Sequence, residues 1–99
     1  MRIQTVEINV SQKDVSLACE LLTEAASRAR RLPGCLDYQH YSVPGDAGRL
    51  LIFQKWTSKD SFAAYRESDV FRGLNSSLKP LALAAPVSSS YVLEDANGN

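Results

Sequence analysis

The run Leu50-Leu51-Ile52-Phe53 constrains this chain more than any other feature. Residues 49–57 read as a strand. Side chains of a strand alternate between its two faces, so four consecutive apolar residues ask for burial on both. The flanking segments set what can cover them. In residues 2–10, Val6, Ile8 and Val10 alternate with Glu7 and Asn9, which predicts a strand with one apolar face. Residues 35–43 predict another, with Leu36, Tyr38 and His40 on one face and Cys35, Gln39, Tyr41 and Val43 largely on the other. Pro44-Gly45-Asp46-Ala47-Gly48 supplies the turn that joins it to residues 49–57 as a β-hairpin. Val87, Ser89, Tyr91 and Leu93 alternate in a last strand.

Between the strands the apolar period changes. Ser11-Gln12-Lys13-Asp14 has capping-box spacing, with Asp in place of Glu. Behind it Val15, Ala18, Leu22, Ala25, Ala29 and Leu32 fall on one helical stripe. Arg28, Arg30 and Arg31 sit where cations meet the negative end of the helix dipole, and Pro33-Gly34 ends the helix. Ser58 caps a second helix carrying Phe62 and Tyr65. Ser68-Asp69 restarts it, Phe71, Leu74 and Leu78 follow at helical spacing, and Pro80 closes it. The order β-α-β-β-α-β predicts an α+β domain of the ferredoxin-like kind, a four-stranded antiparallel sheet with helices on one face. One domain accounts for all 99 residues, with its core over about 2–94 and a polar tail over 95–99.

Helices on one face leave the other open, and that face carries Tyr41, Val43, Leu51 and Phe53. An apolar patch of several hundred Å² is more than monomers usually expose. A second copy packed sheet to sheet would cover it, which predicts a twofold homodimer. The helix-covered face carries Ile52, Gln54 and Trp56 beside Leu36, Tyr38 and His40, with Tyr65, Arg66 and Asn75 available from the helices. Buried polar groups need partners, so a row containing Gln, His and Tyr suits a small-molecule pocket better than a plain core.

Composition narrows the classes. Eleven Lys+Arg balance eleven Asp+Glu, which argues against nucleic acid as a partner. No apolar run reaches the roughly 18 residues of a membrane span, and the polar N-terminus does not read as a signal peptide, so a cytoplasmic location is expected. Cys19 and Cys35 form no ligand motif and His40 is the sole histidine, so neither metal nor another cofactor is expected.

Several segments in order, Leu32-Pro33-Gly34-Cys35-Leu36-x-Tyr38, Leu51-Ile52-x-Gln54-x-Trp56-x-Ser58, Phe62-x-x-Tyr65-x-x-Ser68-x-x-Phe71 and Leu78-x-Pro80-Leu81, resemble the antibiotic biosynthesis monooxygenase domain. The resemblance implies a dimeric α+β barrel with a pocket between sheet and helices in each subunit. It also implies oxygenation of small phenolic or quinol-type substrates by O2, often without metal or flavin. There the deprotonated substrate itself reduces oxygen, and the protein supplies a base, hydrogen bonds and a dry pocket. This chain departs from the family pattern at Gln54, where Glu is usual, and at Tyr65, where His is common. The haem-degrading branch relies on an Asn, a Trp and a His, and the matching positions here are Val6, Tyr65 and Asn75, so haem is not expected as a ligand.

The candidate site follows from both lines. His40 is the candidate base, since an imidazole titrates near neutral pH. Tyr38 and Tyr65 would hold a substrate oxygen through their hydroxyls, and Gln54, Trp56, Ile52, Phe71 and Asn75 would bind the rest of a small aromatic molecule. Each has a purely structural alternative: a strand histidine, aromatic packing, a satisfied buried amide or a helix cap. The competing functional class is a non-catalytic small-molecule-binding or stress-related dimer that uses the same pocket.

Overall fold

Seven elements and two short 3-10 turns build the chain, and the computed structural model describes residues 1–93. They are β1 (Arg2–Asn9), α1 (Val15–Ala29), β2 (Cys35–Val43), β3 (Asp46–Trp56), α2 (Lys59–Arg66), α3 (Asp69–Leu78) and β4 (Val87–Val92), with 3-10 turns at Gln12–Asp14 and Lys79–Leu81. The strands form one antiparallel sheet in the order β2-β3-β1-β4, the expected α+β arrangement. The polar tail expected over 95–99, and residue 94, lie outside the described residues.

Strand register decides which side chains meet the helices. Leu50, Ile52, Gln54 and Trp56 share a face with Ile8, Val6, Gln4 and Arg2 of β1. Ile8, Leu50, Ile52 and Trp56 pack with Ala18, Leu22, Ala25, Ala26 and Ala29 of α1, Phe62 and Tyr65 of α2, and Leu74 and Leu78 of α3. The alanines bring α1 close to the sheet, as its stripe predicts. Arg30, beyond its end, donates to the Tyr38 carbonyl at 2.7 Å and to Gln39 Oε1 at 3.1 Å, tying α1 to β2. On the opposite face Leu51, Phe53 and Val43 are half-buried, and Tyr41, Val87 and Tyr91 are exposed.

Four local expectations are corrected. First, Leu36 does not join the helix-covered face. A bulge between Cys35 and Asp37 sets Cys35 opposite Trp56, so Cys35 packs against the core while Leu36 is exposed. Second, the hairpin turn is tighter than Pro44–Gly48 suggests. β3 begins at Asp46, which pairs with Val43, and Gly45 (φ 82°) takes the left-handed position that follows a turn proline. Gly48 is a strand residue held against β1: the Val10 N–H donates to its carbonyl at 2.8 Å, and a Cβ there would lie 2.2 Å from the Val10 carbonyl oxygen. Third, Ser11 does not cap a backbone N–H. Its hydroxyl donates to Asp14 Oδ2 at 3.0 Å across a 3-10 turn, and α1 starts only at Val15. Fourth, the second helical region is two helices. Ser58 and Ser61 form a reciprocal capping box on α2, and Ser68 accepts from the Phe71 N–H at 3.3 Å to start α3 afresh.

Candidate functional site

The alternation of β1 and β3 points Val6, Ile8, Ile52 and Gln54 toward the helices, and α3 does not close down on them. A cavity of about 450 Å³ remains. Phe71, Leu74 and Leu78 of α3 form its apolar roof, and Ala82, Ala84, Ala85 and Pro86 line it from the segment leading into β4. Tyr38, Gln54 and Tyr65 bring polar groups to an otherwise apolar wall, and Asn75 and Lys79 add exposed polar groups from α3 and the turn after it. A mostly apolar hollow of this size with a few convergent polar groups is the usual form of a small-molecule site.

Tyr65 organises the polar end. Its ring stacks on Trp56 (centroids 5.0 Å apart, planes at 30°) and meets Tyr38 and Phe71 edge-on at 5.7 and 5.5 Å. Its hydroxyl lies 2.7 Å from that of Tyr38, a buried phenol–phenol hydrogen bond. Burial pushes Tyr38 up to about 12 and holds Tyr65 well above the ordinary phenol range, where the neighbouring phenol opposes its ionisation further. Both are therefore neutral at physiological pH and act as hydrogen-bonding groups.

Gln54 is oriented by Trp56. The indole Nε1–H can only donate, so the Gln54 oxygen must face it, and Oε1 accepts that bond at 3.0 Å. Gln54 is 3% exposed, and the buried side-chain atom left without a partner among the described residues is not its amide but Arg2 Nε. Tyr38, Gln54, Gln4 and Ser90 face one another in register across all four strands. The Ser90 hydroxyl donates to Gln4 Oε1. The result is a polar row across the buried face of the sheet, bordered by Val6 and Ile52 on one side and by Trp56 on the other.

Of the residues expected at a site, Tyr38, Tyr65, Gln54, Ile52, Phe71 and Asn75 line this cavity together. Trp56 and His40 do not. Trp56 is fully buried behind Tyr65 and acts on the cavity through Gln54. His40 faces Ile52 from β2, the edge strand, and burial together with the Arg30 charge lowers its pKa from the ordinary value, so it is neutral at pH 7. Sequence reasoning missed Gln4, Leu74, Leu78 and Lys79. The signal for Gln4 was present, since it precedes Val6 and Ile8 at the same period of two. No group of three His, Cys, Asp or Glu among the described residues could hold a metal ion. No helix of the described residues is long and apolar enough to cross a membrane.

The same fold recurs in solved structures. A protein from Deinococcus radiodurans named for the antibiotic biosynthesis monooxygenases superimposes with a TM-score of 0.90 at 21% identity, covering 97% of this chain and 95% of that one. A Caulobacter crescentus CB15 protein so named gives 0.86 at 21% identity, covering 94% and 91%. A Bacteroides thetaiotaomicron protein of unknown function, described as a possible oxidoreductase, gives 0.85 at 17% identity, covering 91% and 94%. At these identities the likeness carries the fold. No curated protein matches the chain in sequence. The family profile described as antibiotic biosynthesis monooxygenase matches residues 1–75, from β1 through most of α3. By that match across three quarters of its length, the chain belongs to the antibiotic biosynthesis monooxygenase family.

Proposed function

We propose that the protein is a cofactor-independent monooxygenase that oxygenates a small phenolic or quinol-type molecule in the cavity between sheet and helices. The observation that carries this reading is the joining of an apolar hollow of about 450 Å³ to the neutral pair Tyr38–Tyr65 and the amide of Gln54. Aromatic contact with Tyr65 and Phe71 suits a flat ring, and Ile52 and Asn75 line the same cavity. The chemistry balances on the substrate alone. In an anthrone the ring CH2 supplies the four electrons that reduce O2, giving a ring carbonyl and one water; in a quinol the ring supplies them, giving a hydroxyquinone and one water. The protein binds the ring, places its oxygen on hydrogen-bond donors and keeps water away.

The working unit in this reading is a homodimer joined through Tyr41, Val43, Leu51 and Phe53. Exposed Val87 and Tyr91 on the same face of β4 extend the apolar surface available to a second copy. The test is oxygen uptake with a panel of anthrones and hydroquinones. Protein-dependent uptake with one oxygen atom of each O2 found in the product, as the new ring carbonyl of an anthrone or the new hydroxyl of a hydroxyquinone, supports the reading. A panel that binds without consuming oxygen overturns it in favour of a small-molecule-binding protein.

A further inference from the structure

The cavity has two unlike ends. At one, Tyr38, Gln54 and Gln4 stand in register across the sheet, with the Tyr65 hydroxyl on that of Tyr38. From there the floor runs along β1 through Val6 to Ile8. The segment between α3 and β4 closes the other end. Ala82 is bridged to Val10, the Leu83 N–H donates to the Asn9 carbonyl at 2.8 Å, and Val87 pairs with Glu7. Glu7 and Asn9 lie three and five residues beyond Gln4, roughly 10–17 Å at a strand rise of about 3.3 Å per residue.

Between these anchors the wall is a single run of backbone. Ala84, Ala85 and Pro86 line the cavity and are also exposed to solvent. Among the described residues neither Ala84 nor Ala85 makes a backbone hydrogen bond, and Pro86 has no N–H to give. Displacing this strap therefore breaks no ladder bond, whereas the other walls belong to strands and helices. Its two alanines offer the cavity nothing larger than a methyl. Leu83, the bulky residue beside them, lines a different hollow next to Asn9 and Gly48 and is 67% exposed. The family match ends at Asn75, before the whole segment.

We infer that the Ala84–Pro86 strap is the doorway of the cavity, and that Ala84 and Ala85 set the length of molecule it accepts. This rests on the reading of the cavity as a substrate site and adds the shape of the substrate. Its polar ring meets the tyrosine pair, and an apolar tail or a further ring points at the strap. Methyls leave room for that tail, and a larger side chain would fill the space where it lies.

The test is calorimetric binding of 4-ethyl-, 4-butyl- and 4-hexylphenol to the full-length protein at neutral pH. Wild-type affinity should rise along the series, by about fourfold for each CH2 buried. At least one of Ala84→Leu and Ala85→Leu should weaken 4-hexylphenol by about tenfold or more and 4-ethylphenol by about twofold or less. Leu83→Ala, on the same strap but outside the cavity wall, should leave the ratio of hexyl to ethyl affinity unchanged. Should both leucine variants misfold, Ala84→Val and Ala85→Val decide by the same ratio, with a smaller effect. A ratio that neither substitution alters, or that Leu83→Ala alters as much, overturns the inference. So does a wild type that gains nothing from ethyl to hexyl. Failure of the whole series to bind overturns it too and removes the cavity as a site. A strap-dependent length limit without oxygen uptake by any phenol or anthrone leaves the doorway standing and overturns the oxygenase. Oxygen uptake whose preference for substrate length ignores the strap does the reverse.

Discussion

Each face of β3 departs from what a simple monomer would carry. Toward the helices it sends Leu50, Ile52, Gln54 and Trp56, three apolar side chains and a buried amide. Toward the uncovered side it sends Leu51, Phe53 and Lys55, two of them apolar. A lone sheet with one wet face would place the amide outside and the apolar pair inside. The two departures, one buried amide inside and two apolar side chains outside, separate two tasks on one strand. The inner face gives up some packing to keep a cavity with polar groups at its end, whereas the outer face carries apolar surface that the proposed dimer would bury.

The outer face yields the largest expected effect. Phe53→Glu would place an unpaired carboxylate in the proposed sheet-to-sheet interface, where its desolvation would be uncompensated. Sedimentation should show about twice the chain mass for the wild type and the chain mass alone for the variant. A wild-type monomer at micromolar concentration would break the comparison, because the outer apolar residues would then have no partner to serve. The inner face comes next. Trp56→Ala removes a fully buried indole, and the expected loss of folding stability is about 3–5 kcal/mol, read by denaturant unfolding. Half-buried Leu51→Ala, on the outer face of the same strand, should cost clearly less when unfolding is followed at concentrations where the dimer has dissociated.

How much of this was legible varies by element. The stripe Val15–Ala18–Leu22–Ala25–Ala29–Leu32 and the strand over 2–10 follow from local periodicity; the structure keeps both but ends the helix at Ala29, before Leu32, and the strand at Asn9, before Val10. The face of Leu36 was not legible, because a single bulged residue reverses the alternation for the strand end beyond it, and a bulge leaves no composition signal. Gly48 read as a turn residue because turns and close backbone contacts both select glycine, and only the distance to Val10 separates them. Six site residues came together because they lie on inward positions of regular elements. His40 also points inward, but Tyr38 from the same strand reaches the cavity and His40, two residues further along and opposite Ile52, does not, and where along β2 the helices leave the cavity open is a tertiary fact. Alanines 82, 84 and 85 line the cavity from an irregular segment that no period marks.

Alkaline titration sharpens the inner half of the comparison. The Tyr38 phenol is raised from its ordinary 10 to about 12, chiefly by burial. Between those values the unfolded chain releases this proton and the folded one holds it, so stability falls as pH rises from about 10 to 12. Tyr38→Phe should be less stable at neutral pH for lack of the 2.7 Å hydroxyl bond, with a shallower alkaline decline. Equal alkaline slopes in the two proteins would mean that the phenol pair is open to water.

The smallest expected effect tests the boundary of the site. His40 shares the inner face with Gln54 but does not line the cavity, and burial lowers its pKa. In acid the unfolded imidazole takes up a proton before the folded one does. Below about 6.5, then, stability falls with pH until the folded pKa is reached and is level beyond it. His40→Asn should remove that small acid slope. If the substrate gives up its proton without a protein base, the same variant should change turnover by less than about threefold. Losing a true general base removes about a hundredfold or more. The pH dependence of turnover separates the alternatives without a variant. With an imidazole base, every substrate would share one rising limb. Without one, the limb moves with the acidity of the phenol supplied. A hundredfold loss in His40→Asn together with a limb fixed across phenols would put the imidazole back among the reacting groups and extend the site to the edge of the sheet.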